Sequence, residues 1–131
     1  MKFVIPLAAK PQGSKKAFLV NGRPVLVEAS ANLKTLRNNF TEYIRSQANG
    51  WAITDKDIPV KVSIFFVFAK PKSVKRKHMT TIPDIDKTAR FCCDALTNAG
   101  VITDDRQITV LHLEKRYGPK DVTIIEIGEQ E

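Results

Sequence analysis

A chain of 131 residues, 43% of them apolar and 27% charged, is long enough to close one hydrophobic core without disulfide or metal staples. The formal net charge of +7 favours a polyanionic partner, nucleic acid foremost. No apolar run approaches the ~18 residues of a membrane span, and "MKFVIPLAAKPQ" lacks a signal-peptide layout, so a cytoplasmic protein with no membrane association is expected, nucleoid-associated if its partner is DNA.

In chain order, "KFVIPL" (Lys2–Leu7) and "AFLVNGRPVLVEA" (Ala17–Ala29) are β-rich, with Asn21-Gly22 a strong hairpin signal and Pro24 placing that ribbon at an edge. Ser30 or Asn32 could cap an amphipathic helix. Its stripe is Leu33, Leu36, Phe40, Tyr43, Ile44 and Ala48, and it stops at Asn49-Gly50. "IPVKVSIFFVFA" (Ile58–Ala69) reads as a central strand covered on both faces, because its alternation gives way to an unbroken apolar run. "KPKSVKRKHMTTIP" (Lys70–Pro83) reads as a long, polar loop. A second helix is expected from about Asp86 to Ala99. Cys92, Ala95, Leu96 and Ala99 form its apolar stripe, with Lys87, Arg90, Asp94 and Thr97 opposite and Gly100 as the stop. Strands near Gln107–Lys115 and Asp121–Gly128 follow, with Gly118-Pro119 turning between them. This order implies a single α+β (mixed α/β) domain spanning 1–131, a central sheet with two main helices. Cys92 and Cys93 are adjacent, a poor geometry for a disulfide and outside the common zinc spacings, and read as buried thiols.

Charge is unevenly placed. Lys2, Lys10, Lys15, Lys16 and Arg23 precede the first acid, and Ile58–Pro83 contains only cations. The acids Asp84, Asp86, Asp94, Asp104 and Asp105 then follow within a short stretch. On an extended approach to the second helix, Asp84 and Asp86 would point the same way, and the turn after Gly100 could return one of Asp104-Asp105 to them. Three carboxylates form the hard oxygen set that Mg²⁺ takes while keeping positions for water and phosphate, as phosphodiester hydrolysis requires. Equally, an aspartate at a helix start can be an ordinary cap, and Asp104-Asp105 an ordinary turn. Asp86, Arg90 and Asp94 recur at four-residue steps along one helix face. Lys70, Lys72, Lys75, Arg76, Lys77 and His78 form a mobile arm ahead of the acids, with Lys10, Lys15 and Lys16 a second arm, both suited to backbone phosphates. His78 and His112 receive no catalytic role.

"DIDKTARFCCDALTNAGVITDDRQI" (Asp84–Ile108) resembles the signature of RusA-type Holliday junction resolvases, small phage and prophage endonucleases with an Asp-x-Asp-Asn, basic residue, Asp-Ala-Leu, glycine, Asp-Asp pattern. The resemblance implies that Asp84, Asp86 and Asp105 bind catalytic Mg²⁺, with Mn²⁺ as a substitute. Arg90 would take the place of an essential lysine, and Asp104 and Asp94 would support the site. It also implies a RusA-like homodimer cutting four-way junction DNA by paired symmetric cleavage in recombination and repair. Lys87 stands where the family has asparagine, a cation beside the acids that could contact phosphate or weaken ion binding. Arg90 keeps the charge but does not readily release a proton. Two rivals remain at this stage: a non-catalytic branched-DNA-binding module that retains the basic arms, and a metal-dependent phosphotransferase on small nucleotides, which the absence of a glycine-rich phosphate loop disfavours.

Overall fold

Phe3, Ile5, Val60, Val62, Ile64, Phe66, Ile125 and Ile127 are all buried and alternate with exposed or half-buried neighbours along their strands, so one face of a sheet forms the floor of the core. The computed structural model describes residues 1–13, 16–27 and 31–131, with side chains described for 1–13, 21–23 and 32–131. Strands β1 (Lys2–Ile5), β4 (Val60–Ala69), β5 (Ile108–Gly118) and β6 (Val122–Glu129) make a four-stranded sheet in the order β1-β6-β4-β5. β4 is antiparallel to β6 and parallel to β5. Strands β2 (Lys16–Val20) and β3 (Arg23–Val27) pair as a separate two-stranded ribbon. Asn21 and Gly22 at its turn have φ of 52° and 77°, the left-handed pair that a tight hairpin requires.

Helices α1 (Ala31–Ala48) and α2 (Ile85–Asn98) supply the opposing layer. They meet at Phe40 and Phe91, whose rings lie edge to face at 4.9 Å and are both fully buried. Each such ring contributes about 1.5–3 kcal/mol by leaving water. The result is the expected α+β domain with two main helices on a mixed sheet.

Four local readings change. Asn32 lies inside α1 and cannot cap it, while Ser30 falls outside the described residues. Tyr43, counted into the apolar stripe, is 39% exposed at the helix flank. β4 is central but fully buried on one face only: Ser63, Phe65 and Val67, on the other face, are half-buried. The strands around Gly118-Pro119 are not neighbours, because β4 lies between β5 and β6. Close passage across the end of β4 explains Gly118, where a Cβ would stand 2.4 Å from Val67 Cγ1.

β4 and β5 are joined by the segment 70–84, α2 and the short 3₁₀ turn Asp105–Gln107, the long crossover that a parallel pair needs. Every acid of the signature lies on this crossover.

Candidate active site

α2 begins where the sequence pattern placed it. Asp84 is the N-cap residue, in an extended conformation (φ −68°, ψ 132°), and the preceding Ile82–Pro83 peptide is cis. The Asp84 carbonyl accepts from Thr88 N (3.1 Å) and Thr88 Oγ1 (2.8 Å), while its carboxylate makes no capping bond and stands 3.6 Å from Lys87 Nζ. Asp86 is already in the first helical turn. The shared extended segment expected for the two acids therefore stops at Asp84.

The second acidic pair straddles the start of the 3₁₀ turn, with Asp104 as its N-cap and Asp105 as its first residue. Asp104 caps the 3₁₀ turn, accepting from Arg106 N at 2.9 Å and pairing with Arg106 Nη2 at 3.1 Å. Asp105 is left to face α2. The brace behind them is Gln107, 4% exposed, whose Oε1 accepts from Thr103 N (2.8 Å) and Asp104 N (3.0 Å) and whose Nε2 donates to Asp55 O (2.9 Å). A buried amide satisfied on both ends by backbone is stiff and costly to replace.

Between the exposed side of α2 and the start of β5 is an open pocket lined by Asp86, Ala89, Arg90, Cys93, Asp105, Ile108, Thr109 and Leu111. Asp105 is thus brought to Asp86 and Arg90, which lie 19 and 15 residues before it in sequence, whereas Asp84 does not line the pocket. Arg90 makes no ion pair among the described residues, leaving its guanidinium available to an incoming anion. Partial burial raises the Asp105 carboxyl above the usual range, with the neighbouring Asp104 carboxyl and the charge of Asp94 adding to it and Arg106 opposing. Asp104 is lowered, chiefly by its bond from the Arg106 backbone. Cys93, at the pocket floor, is pushed up to about 11 by burial and by Asp105 and Asp94. Among the described residues no three Asp, Glu, His or Cys side chains are gathered closely enough to hold a metal ion.

Asp94 lies one turn further along α2 and accepts from Gln12 Nε2 at 2.5 Å, while Gln12 Oε1 accepts from Arg37 Nη1 at 2.7 Å. Gln12 N also donates to Lys87 O at 3.0 Å. Gln12 therefore ties the segment carrying Lys10 to both helices, and nothing in its local sequence announced it. Lys10 is exposed next to this tie; Lys15 lies outside the described residues, and of Lys16 only the backbone in β2 is described. The basic segment carries no helix or strand, as expected, but it is not a free arm. Lys70 N bonds Gly118 O at 3.1 Å, and Lys70 Nζ and Arg76 Cζ lie 5.6 and 6.0 Å from the Tyr117 ring centroid. Lys72, Lys75 and Lys77 are exposed. His112, on the opposite face of β5 from Leu111, lies 2.8 Å from Glu114.

No helix among the described residues is long and apolar enough to cross a membrane. Comparison with curated proteins found no match. The model of the family described as endodeoxyribonuclease RusA matches residues 6–128, nearly the whole chain. This protein belongs to the RusA endodeoxyribonuclease family.

Proposed function

We propose that the whole chain acts as one RusA-like endonuclease domain, a Mg²⁺-dependent, structure-selective enzyme that resolves Holliday junctions by paired symmetric cleavage as a homodimer. The observation that carries this reading is the pocket joining Asp86 and Asp105 to Arg90 in an otherwise cationic chain. Its donor set suits a hard divalent ion: two carboxylates face one space, and Asp105 is in surplus negative charge that a cation would relieve. Asp84 completes the set by turning away from Lys87. That pair is about half exposed on both sides at 3.6 Å, and such contacts hold by only ~0–1 kcal/mol.

A bound Mg²⁺, or Mn²⁺ in its place, supplies an activated water and neutralises charge on the scissile phosphate. Arg90 holds a phosphate oxygen through its guanidinium fork, a role in charge stabilisation and not that of the acid. Asp94, fixed by Gln12, sits one turn from Arg90 and supports its placement. Lys10, Lys15, Lys16, Lys70, Lys72, Lys75, Arg76 and Lys77 bind the backbone of the arms, which gives affinity without base readout. Two such sites in a symmetric dimer meet two opposed strands of the junction.

The test is cleavage of a synthetic four-way junction and a linear duplex of the same sequence in Mg²⁺, with wild type and Asp86→Asn. Wild type should cut the junction in preference to the duplex. Asp86→Asn should lose cutting by about 100-fold or more while junction binding changes by less than about threefold, since the carboxylate acts on the reaction and not on the backbone contacts. Wild type that binds the junction but cuts it with neither Mg²⁺ nor Mn²⁺ overturns the nuclease reading and leaves a branched-DNA-binding module.

A further inference from the structure

Lys115 is absent from every role assigned so far. It lies on β5 opposite Phe66, half-buried beneath the crossover, and its ammonium donates to Thr81 O at 2.6 Å and Pro83 O at 2.8 Å. Among the described residues it has no carboxylate partner. Its charge is therefore used on two main-chain carbonyls of a single turn, and charge-assisted bonds of this kind are stronger than neutral ones. The turn it grips ends immediately before Asp84. Two residues further along the same strand face, the Tyr117 ring lies against Lys70 and Arg76, while Gly118 O accepts from Lys70 N. The C-terminal half of β5 thus clasps the basic segment at both ends: at Lys70 and Arg76 through Tyr117 and Gly118, and at Thr81 and Pro83 through Lys115.

We propose that Lys115 is a positioning residue for DNA cleavage. By pinning Thr81 and Pro83 it sets the direction in which Asp84 and Asp86 enter α2, and it fixes the phosphate-binding cations of 70–77 in register with them. It touches no substrate itself. This inference rests on the nuclease reading above for its catalytic consequence, but the pinning is separately measurable.

The experiment compares wild type, Lys115→Met and Lys115→Arg. Lys115→Met retains the stem that packs on the strand and loses both bonds, whereas Lys115→Arg retains donors for both carbonyls. For Lys115→Met, kcat on the junction should fall about 10- to 100-fold with KM within about twofold, and the Mg²⁺ needed for half-maximal rate should rise, because small misplacements of reacting groups are that costly. Lys115→Arg should recover most of both. Trypsin should nick the 70–77 segment of the folded Lys115→Met protein at least about fivefold faster than in wild type, since cleavage follows local opening.

A purely structural tie would lower the melting temperature and leave kcat and Mg²⁺ response of the folded protein unchanged. That result overturns the proposal, as does an unchanged nicking rate. If wild type cuts no DNA, the nuclease reading fails by itself and the trypsin comparison still decides the pinning. Should Lys115→Met not fold, Lys115→Gln takes its place with the same thresholds.

Discussion

Lys87 is one of two residues, with Arg90, at which this chain departs from the pattern it resembles, and its placement beside Asp84 gives the difference a consequence. Its ammonium lies 3.6 Å from Asp84, one of the three carboxylates proposed to hold the ion, and on that proposal it would compete with the ion for the same oxygen. Both side chains are about half exposed, so the competition is screened and modest. Lys87→Asn should therefore lower the Mg²⁺ concentration for half-maximal cleavage by about two- to fivefold, the range that exposed ion pairs cover. A Mg²⁺ titration of the cleavage rate checks it, and a higher requirement in the variant would show Lys87 to be a phosphate contact instead. The acids themselves were legible in sequence because their spacing is local. Gln12 and Lys115 were not, because Gln12 reaches Arg37 and Asp94 and Lys115 reaches Thr81, each 25 or more residues away, and no local pattern encodes such partners; Gln107 closes a local capping box with Asp104, but its bond to Asp55 O is equally remote.

At the scale of elements, α2 was the best-read piece, since its apolar stripe, acidic start and Gly100 stop are all properties of one helix. Its buried thiols give a pH dependence. Burial, with the charges of Asp105 and Asp94, raises Cys93 to about 11, and burial, with Cys93, also raises Cys92. The unfolded chain's thiols titrate near ~8.5, so above that pH the unfolded state sheds protons that the folded state keeps. This contribution to stability is thus complete below that pH and lost as pH rises toward the folded value. Melting temperature should fall between pH 8 and about 10.5 less steeply for Cys93→Ala than for wild type, after allowance for the variant's lower starting point. The sheet was less legible. The apolar run in β4 cannot distinguish two buried faces from one buried and one half-buried, and the position of β6 between β1 and β4 is a long-range choice. Gly118 records that choice. Gly118→Ala puts a methyl against the stiff branched side chain of Val67, at a built distance of 2.4 Å, and should destabilise by about 1–3 kcal/mol, read as a lower denaturation midpoint with unchanged m-value.

For the molecule as a whole, the crossover between β4 and β5 carries the proposed catalytic side chains: a cationic segment held against β5, then a helix presenting Asp86 and Arg90, then a 3₁₀ turn presenting Asp105. The net charge of +7 pointed to a polyanion and the acidic signature to a nuclease, but the pocket that Asp86 shares with Asp105 needs the folded crossover, whose last turn is braced by Gln107. Asp105 lines the pocket with Asp86 and Arg90, whereas its neighbour Asp104 caps the turn. The measurement is junction cleavage in Mg²⁺ by Asp105→Asn beside Asp104→Asn, with junction binding followed in parallel. Asp105→Asn should bind the junction as wild type does and lose cutting by about 100-fold or more, while Asp104→Asn, which keeps the capping oxygen and loses only an exposed ion pair, should retain activity within about tenfold. Wild-type cutting by Asp105→Asn would contradict the assignment of this pocket as the catalytic centre.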